Sequence, residues 1–166
     1  MRSRKVFVLF EDLCGEVANI AAKDKRSVYI DAALNSIDAV SSIFEYIQTR
    51  ANNKSLISDS QRETVEQVET YEYENKIKLN ELRGDFEKNK LVFQSGNAER
   101  AVVQETIVKV SGQLRQTIEY VKKKKEALSQ TEELARENKD IISKMDEWLR
   151  TSVKNHSKLI KIYQGG

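Results

Sequence analysis

Three kinds of residue in this 166-residue chain carry groups that do chemistry in other proteins: a single histidine, a single cysteine and regularly spaced glutamates. His156 needs carboxylates or cysteines at ligand spacing to hold a metal ion, and no acid lies within one turn of it. Cys14 needs an activating base to act as a nucleophile. Glu63, Glu66 and Glu69 lack the Glu-x-x-His pairs of bundle-type metal sites. We therefore expect no catalytic residue, metal or cofactor, and no enzyme activity.

A basic group lies near the end of the chain, where residues 149–163 contain no acid. Its members are Arg150, Lys154, Lys158 and Lys161, and spacings of four and three place them on one helix face. Cations stabilise the C-terminal end of a helix, which is the interpretation we favour. The other interpretation is contact with phosphates of nucleic acid or of an anionic membrane. Aromatic residues for base stacking are missing from that face.

These residues belong to a stretch that predicts one very long amphipathic helix over residues 97–163. Every seventh position is apolar in seven consecutive places, which is a sustained heptad repeat. The seam consists of Ile107, Leu114, Val121, Leu128, Ala135, Ile142 and Leu149. The second seam is mixed, since it includes Thr117, Lys124 and Asn138 beside valines and Met145. A helical bundle with a widened seam is therefore expected, rather than a regular dimeric coiled coil.

Composition supports an elongated, mostly helical protein. Proline is absent and glycine occurs only six times, so the residues that stop helices are scarce. Charged residues make up 33% of the chain, and 28 basic against 26 acidic residues give a net charge of +2. This balance produces no global field that would select nucleic acid or an acidic surface. No apolar run is long enough to span a bilayer, and the single cysteine excludes an internal disulfide.

Helices are predicted over residues 5–22, 28–51, 60–94 and 97–163 within one elongated domain. A short strand over residues 6–10 is the alternative at the start of the chain, because β-branched and aromatic residues are concentrated there. Ser60 and Glu63 form a capping box that begins the third helix. The strongest turn signal is Gly96 followed by Asn97. A break near residues 138–140 is the alternative to an uninterrupted last helix.

An antiparallel hairpin about Gly96 would make residues face each other when their numbers add to about 192. Tyr71 then meets Val121, and Lys124 falls opposite the acidic stretch around Glu69. The helix over residues 28–51 folds back on the third helix in the same way, which brings Phe44 close to Val68. Beyond Leu128 the last helix then has no partner in its own chain.

The unpartnered end of the last helix is the predicted partner-binding surface. Its apolar face cannot remain in water without cost, so we expect a second chain to cover it, unless the helix breaks and folds back. Truncation of a buried tryptophan such as Trp148 often weakens binding by about 2 kcal/mol or more. The predicted partner-binding residues are Leu134, Ile141, Met145, Trp148, Leu149 and Val153.

The sequence therefore predicts an all-α, elongated antiparallel bundle or coiled-coil hairpin with one very long C-terminal helix. The expected function is non-enzymatic: an assembly, adaptor or scaffold subunit in the cytoplasm that binds itself or another helical protein. A membrane-acting helical protein, such as a pore-forming or secretion-system component, is the alternative. Association with nucleic acid through the basic terminus is a weaker alternative, and no small-molecule substrate is expected.

Overall fold

The computed structural model describes residues 25–52, 59–94 and 100–165. Within these ranges the chain forms helices and no strands, which confirms the all-α class. The predictions for residues 1–24, including Cys14, and for the turn at Gly96 lie outside the described residues. The five described helices are α1 (Lys25–Asn52), α2 (Asp59–Gln94), α3 (Arg100–Leu128), α4 (Glu132–Glu137) and α5 (Lys139–Gly165).

The four long helices pack as an antiparallel bundle. Helix α1 packs against α2, α3 and α5, and α3 packs against α2 and α5. Helices α2 and α5 therefore occupy opposite corners, and each runs antiparallel to both of its neighbours. The core is one continuous cluster in which Phe44, Phe86 and Trp148 are among the largest fully buried side chains.

Contacts between α2 and α3 confirm the predicted register of the hairpin. The rings of Tyr71 and Tyr120 stack with centroids 3.8 Å apart and planes inclined by 6°. Lys124 donates a hydrogen bond to Gln67, at the start of the acidic stretch that was expected to face it. The apolar stripes and the opposite charges of the two helices therefore select the same alignment.

Helix α1 also packs antiparallel to α2, as the sequence predicts. Asn75 Nδ2 donates to the carbonyl oxygen of Ile37 at 3.4 Å, which matches the expected alignment. Phe44 makes an edge-to-face contact with Tyr71, which lies about one turn along α2 from the predicted partner Val68, with ring centroids 5.9 Å apart. Burial of aromatic rings on three helices joins α1, α2 and α3 into one core.

The long C-terminal helix is present only in part, because the chain bends twice between α3 and α5. Thr131 caps α4 by accepting a hydrogen bond from the backbone nitrogen of Leu134 at 3.1 Å. Asn138 Nδ2 donates to the carbonyl oxygen of Leu128 at 3.0 Å, which satisfies a free group at the end of α3. The bend at Asn138 coincides with the break near residues 138–140 that was the alternative prediction. Helix α5 therefore packs on its own chain, which corrects the expectation of an end covered by a second chain.

A polar layer crosses the core between α2 and α3. Asn75 is only 2% exposed, and its side-chain oxygen accepts hydrogen bonds from Gln113 at 2.9 Å and Thr117 at 3.2 Å. Tyr71 donates to Thr117 at 3.2 Å. The polar residues in the second seam of the heptad are thus used within the bundle, since buried polar groups require partners.

Candidate functional site

The structure places three of the six predicted partner-binding residues inside the bundle. Ile141, Met145 and Trp148 are buried in the core, and Trp148 Nε1 donates to the carbonyl oxygen of Ser36 at 2.8 Å. Leu134 and Leu149 are half-buried, and Val153 is 46% exposed. Of this set, Val153 is therefore the residue that is exposed on the surface of the folded chain.

The predicted anion-contact residues separate into two environments. Arg150, Lys154 and Lys161 are exposed, and within the described part of the chain they make no ion pair. Lys158 turns towards α1, where its ammonium group lies 5.6 Å from the centroid of the Tyr29 ring. Three of the four cations therefore remain available on the outer surface of α5, and the fourth contributes to packing between helices.

His156 of α5 lies beside the backbone of Ser111 on α3. Burial is the main cause that lowers the pKa of His156, and the nearby positive charge of Arg115 lowers it further. Among the described residues there is no group of three histidine, cysteine or acidic side chains that could hold a metal ion. His156 therefore lies at the contact between α3 and α5.

Large hydrophobic side chains that remain exposed fall on two surfaces of the bundle. Tyr73 and Ile77 lie four residues apart on the outside of α2, and Val108, Val153 and Tyr163 lie on α3 and α5. The contact between His156 and Ser111 fixes the alignment of α3 with α5. In this antiparallel alignment, Val108 is level with Leu159, and Tyr163 lies about one turn further along α5. The second set therefore forms one surface.

We call this surface, which consists of exposed residues of α3 and α5, the α3–α5 face. The apolar side chains form its centre, and the cations of α5 and Arg115 lie at its edges. Within the described range the stretch of α5 beyond Trp148 carries no acid, so the α5 side of this face is positively charged, whereas on α3 Glu119 lines a groove together with Arg115. Its members are Val108, Gly112, Arg115, Arg150, Val153, Lys154, Ile160, Lys161 and Tyr163.

Gly112 opens a groove beside these residues on the outer surface of α3. The groove has a volume of about 430 Å³, and its lining includes Tyr71, Tyr120, Arg115 and Lys123. A side chain added at Gly112 would have no heavy atom within 4 Å. Gly112 is therefore not required by packing between α2 and α3, and the backbone of α3 is open to the outside here.

Tyr120 forms the wall of this groove that reaches into the bundle. Its hydroxyl is buried, and among the described residues no hydrogen-bond partner is found for it. Burial, followed by the effect of Tyr71, raises the pKa of Tyr120 to about 12. In an unfolded chain a tyrosine loses its proton near pH 10. The contribution of this pKa difference to the free energy of unfolding is fully present below pH 10 and is lost as the pH rises towards 12.

Replacing Tyr120 with phenylalanine is therefore expected to stabilise the fold by about 1 kcal/mol at neutral pH, since it removes a buried hydroxyl without a partner. The variant should also lose less stability than the wild type between pH 10 and 12. Urea unfolding at neutral and alkaline pH measures both effects. Tyr73→Phe, at a position that is 69% exposed, is the control and should change neither value. A destabilised Tyr120→Phe variant would show that the hydroxyl has a partner.

Sequence reasoning placed Val153 and the basic residues on this surface but missed Val108, Gly112 and Tyr163. A signal for Val108 was available, because it follows the seam residue Ile107 and points away from the heptad core.

None of the helices in the described part of the chain is both long and apolar enough to cross a membrane. Comparison with protein-family models, curated proteins and solved structures finds no match to this chain.

Proposed function

We propose that this protein is a non-enzymatic interaction subunit that binds a helix of a partner protein across the α3–α5 face. The observation that carries the proposal is the position of Val108, Val153 and Tyr163. These three side chains are 53%, 46% and 39% exposed and share one face of the bundle. Covering apolar area stabilises a complex by about 25 cal/mol per Å², so this surface favours a protein partner.

The open backbone at Gly112 supports a helix as the bound element. A glycine inside a helix costs about 1 kcal/mol relative to alanine, and no intrachain packing requires it here. A partner helix that lies along the groove would contact the α3 backbone and bury the ring of Tyr163. Tyrosine is enriched at protein interfaces because it buries a large ring and keeps its hydroxyl hydrated.

Charge on the face indicates the composition of the partner. Arg150, Lys154 and Lys161 lie beside the apolar centre without an ion pair in the described part of the chain. An amphipathic helix with acidic residues flanking its apolar stripe would match both features. Charges at the rim mainly accelerate association and exclude wrong partners, so salt should weaken binding by slowing association.

Photo-crosslinking in the cells that express the protein tests this proposal. A photoreactive residue at Val153 should link to one partner protein, and a second at Val108 should link to the same helix of that partner. A photoreactive residue at Tyr73 on α2 is the control. With the partner identified, Val153→Glu should lower its affinity at least tenfold, because the change places an acid in the apolar centre.

A pair of glycine variants separates binding from stability. Gly84 and Gly112 are both exposed within helices, and both have open space where a side chain would begin. Gly112→Leu should reduce partner binding strongly, whereas Gly84→Leu on α2 should leave it unchanged. If Val153→Glu and Gly112→Leu bind as the wild type does, the face is not the binding surface. Salt-sensitive binding to anionic vesicles or single-stranded DNA that ignores both variants would instead favour phosphate recognition.

A further inference from the structure

The heptad seam of the sequence continues through the two bends without a change of phase. Ile107, Leu114 and Val121 are buried in the bundle, as the seam requires. The later seam positions are only half-buried, because α5 turns a different face to the core. These later positions are Leu128, Ala135, Ile142 and Leu149. The sequence therefore maintains the apolar pattern of a straight helix across a segment that is bent here.

The bends consist of residues that are compatible with a continuous helix. Residues 128–139 contain neither glycine nor proline, and α4 has no buried residue. Two hydrogen bonds belong to the bent form: the cap that Thr131 provides and the bond from Asn138 to the carbonyl of Leu128. A cavity of about 270 Å³ lies beneath the bends and is lined in part by Leu134 and Ile141. Because of this cavity, packing stabilises the bent segment less than it stabilises the rest of the bundle.

The contact between α5 and α1 contains polar groups as well as the buried side chain of Trp148. Asn155 Nδ2 donates to Ser36 Oγ at 3.0 Å, and both residues are buried. The buried hydroxyl of Ser152 has no hydrogen-bond partner among the described residues. These contacts depend only on an α5 segment being present, so α5 of another copy would make the same ones.

We propose that the groove between α1 and α3 accepts α5 from a second copy of this chain. In the exchanged dimer α3, α4 and α5 form one continuous helix, and two such helices cross antiparallel near the former bends. Leu128 and Ala135 of the two copies then bury the seam that the bent form leaves half-exposed. The direction of α5 relative to α3 of the accepting copy stays antiparallel, as in the folded-back chain. This interface is independent of partner binding at the α3–α5 face.

Weakening the bends tests the exchange. The double variant Thr131→Ala and Asn138→Ala removes the two bonds that belong to the bent form and favours continuous helix. Its dimer dissociation constant should be at least tenfold lower than that of the wild type, as measured by light scattering over a concentration series. Ser143→Ala with Ser157→Ala, at exposed positions on α5, is the matched control and should change nothing. A double variant that stays monomeric at every concentration overturns the proposal.

A disulfide experiment identifies which helix is exchanged. Two chains are prepared with Cys14→Ser, one with Ser36→Cys and the other with Asn155→Cys, each combined with the weakened bends. Because both positions are buried, a disulfide between the two chains forms only if α5 of one lies in the groove of the other. Mixing, dilution and mild oxidation should yield the covalent heterodimer. Dimers without this link would be docked by their surfaces, which overturns the exchange and leaves the α3–α5 face as their contact.

Discussion

Replacing Trp148 with alanine is expected to lower the free energy of unfolding by about 3–5 kcal/mol, which is a large part of the stability of an ordinary domain. The side chain is fully buried in the core that α5 forms with α1 and α3. Its indole nitrogen also donates to the carbonyl oxygen of Ser36 at 2.8 Å. The variant therefore loses packing, leaves a cavity and removes one partner of a buried hydrogen bond.

Urea unfolding followed by circular dichroism measures this effect. Val153→Ala, five residues further along α5 at an exposed position, should change stability by less than about 0.5 kcal/mol. From the sequence alone the same Trp148→Ala change is expected to weaken association with helix content nearly unchanged. A variant with wild-type stability and weaker self-association would support that earlier expectation and contradict the position of Trp148 in the structure.

Truncation after Gln130 should abolish cooperative unfolding, because it removes α5 together with its contacts to α1 and α3. The remaining helices would expose apolar core that α5 normally covers, including the surroundings of Ser36. A chain of this kind retains much of its helix but loses fixed packing and binds hydrophobic dyes. Circular dichroism, dye fluorescence and urea unfolding together distinguish this state from a folded hairpin.

Truncation after Tyr163 is the matched control, since it shortens the same helix and keeps every buried residue of α5. It should unfold cooperatively with nearly wild-type stability. From the sequence alone, truncation after Gln130 leaves a soluble and folded hairpin. If that hairpin unfolds cooperatively, α5 does not belong to the core of this chain.

The pairing of α2 with α3 was predictable because several independent signals agree on one register. A turn at Gly96, matching apolar stripes and opposite charges all place Lys124 near the acidic stretch of α2. Antiparallel neighbours joined by a short connection also leave few alternatives. The contact between Tyr71 and Tyr120 is a direct result of that alignment.

The sequence alone did not predict that α5 folds back on its own chain, because the heptad repeat favours burial of a different face of this helix. The seam at Ile142 and Leu149 is only half-buried, whereas the neighbouring positions Ile141 and Trp148 are in the core. Either face is apolar enough to be buried, so periodicity alone cannot choose between them. The choice depends on tertiary burial against α1 and on local caps such as Asn138, whose effect is small in an isolated helix.

The hydrogen bond from Trp148 to Ser36 joins residues that are 112 positions apart in the chain. During synthesis at about 5–20 residues per second, roughly 6–20 s separate the appearance of these two residues. The hairpin of α2 and α3 forms from local contacts within this interval, while the side of α1 that receives α5 remains uncovered. On a messenger translated by several ribosomes, neighbouring nascent chains would compete with the chain's own α5 for that surface. Because α5 is synthesised last, its packing onto α1 is the step that determines whether each chain forms a bundle with its own α5.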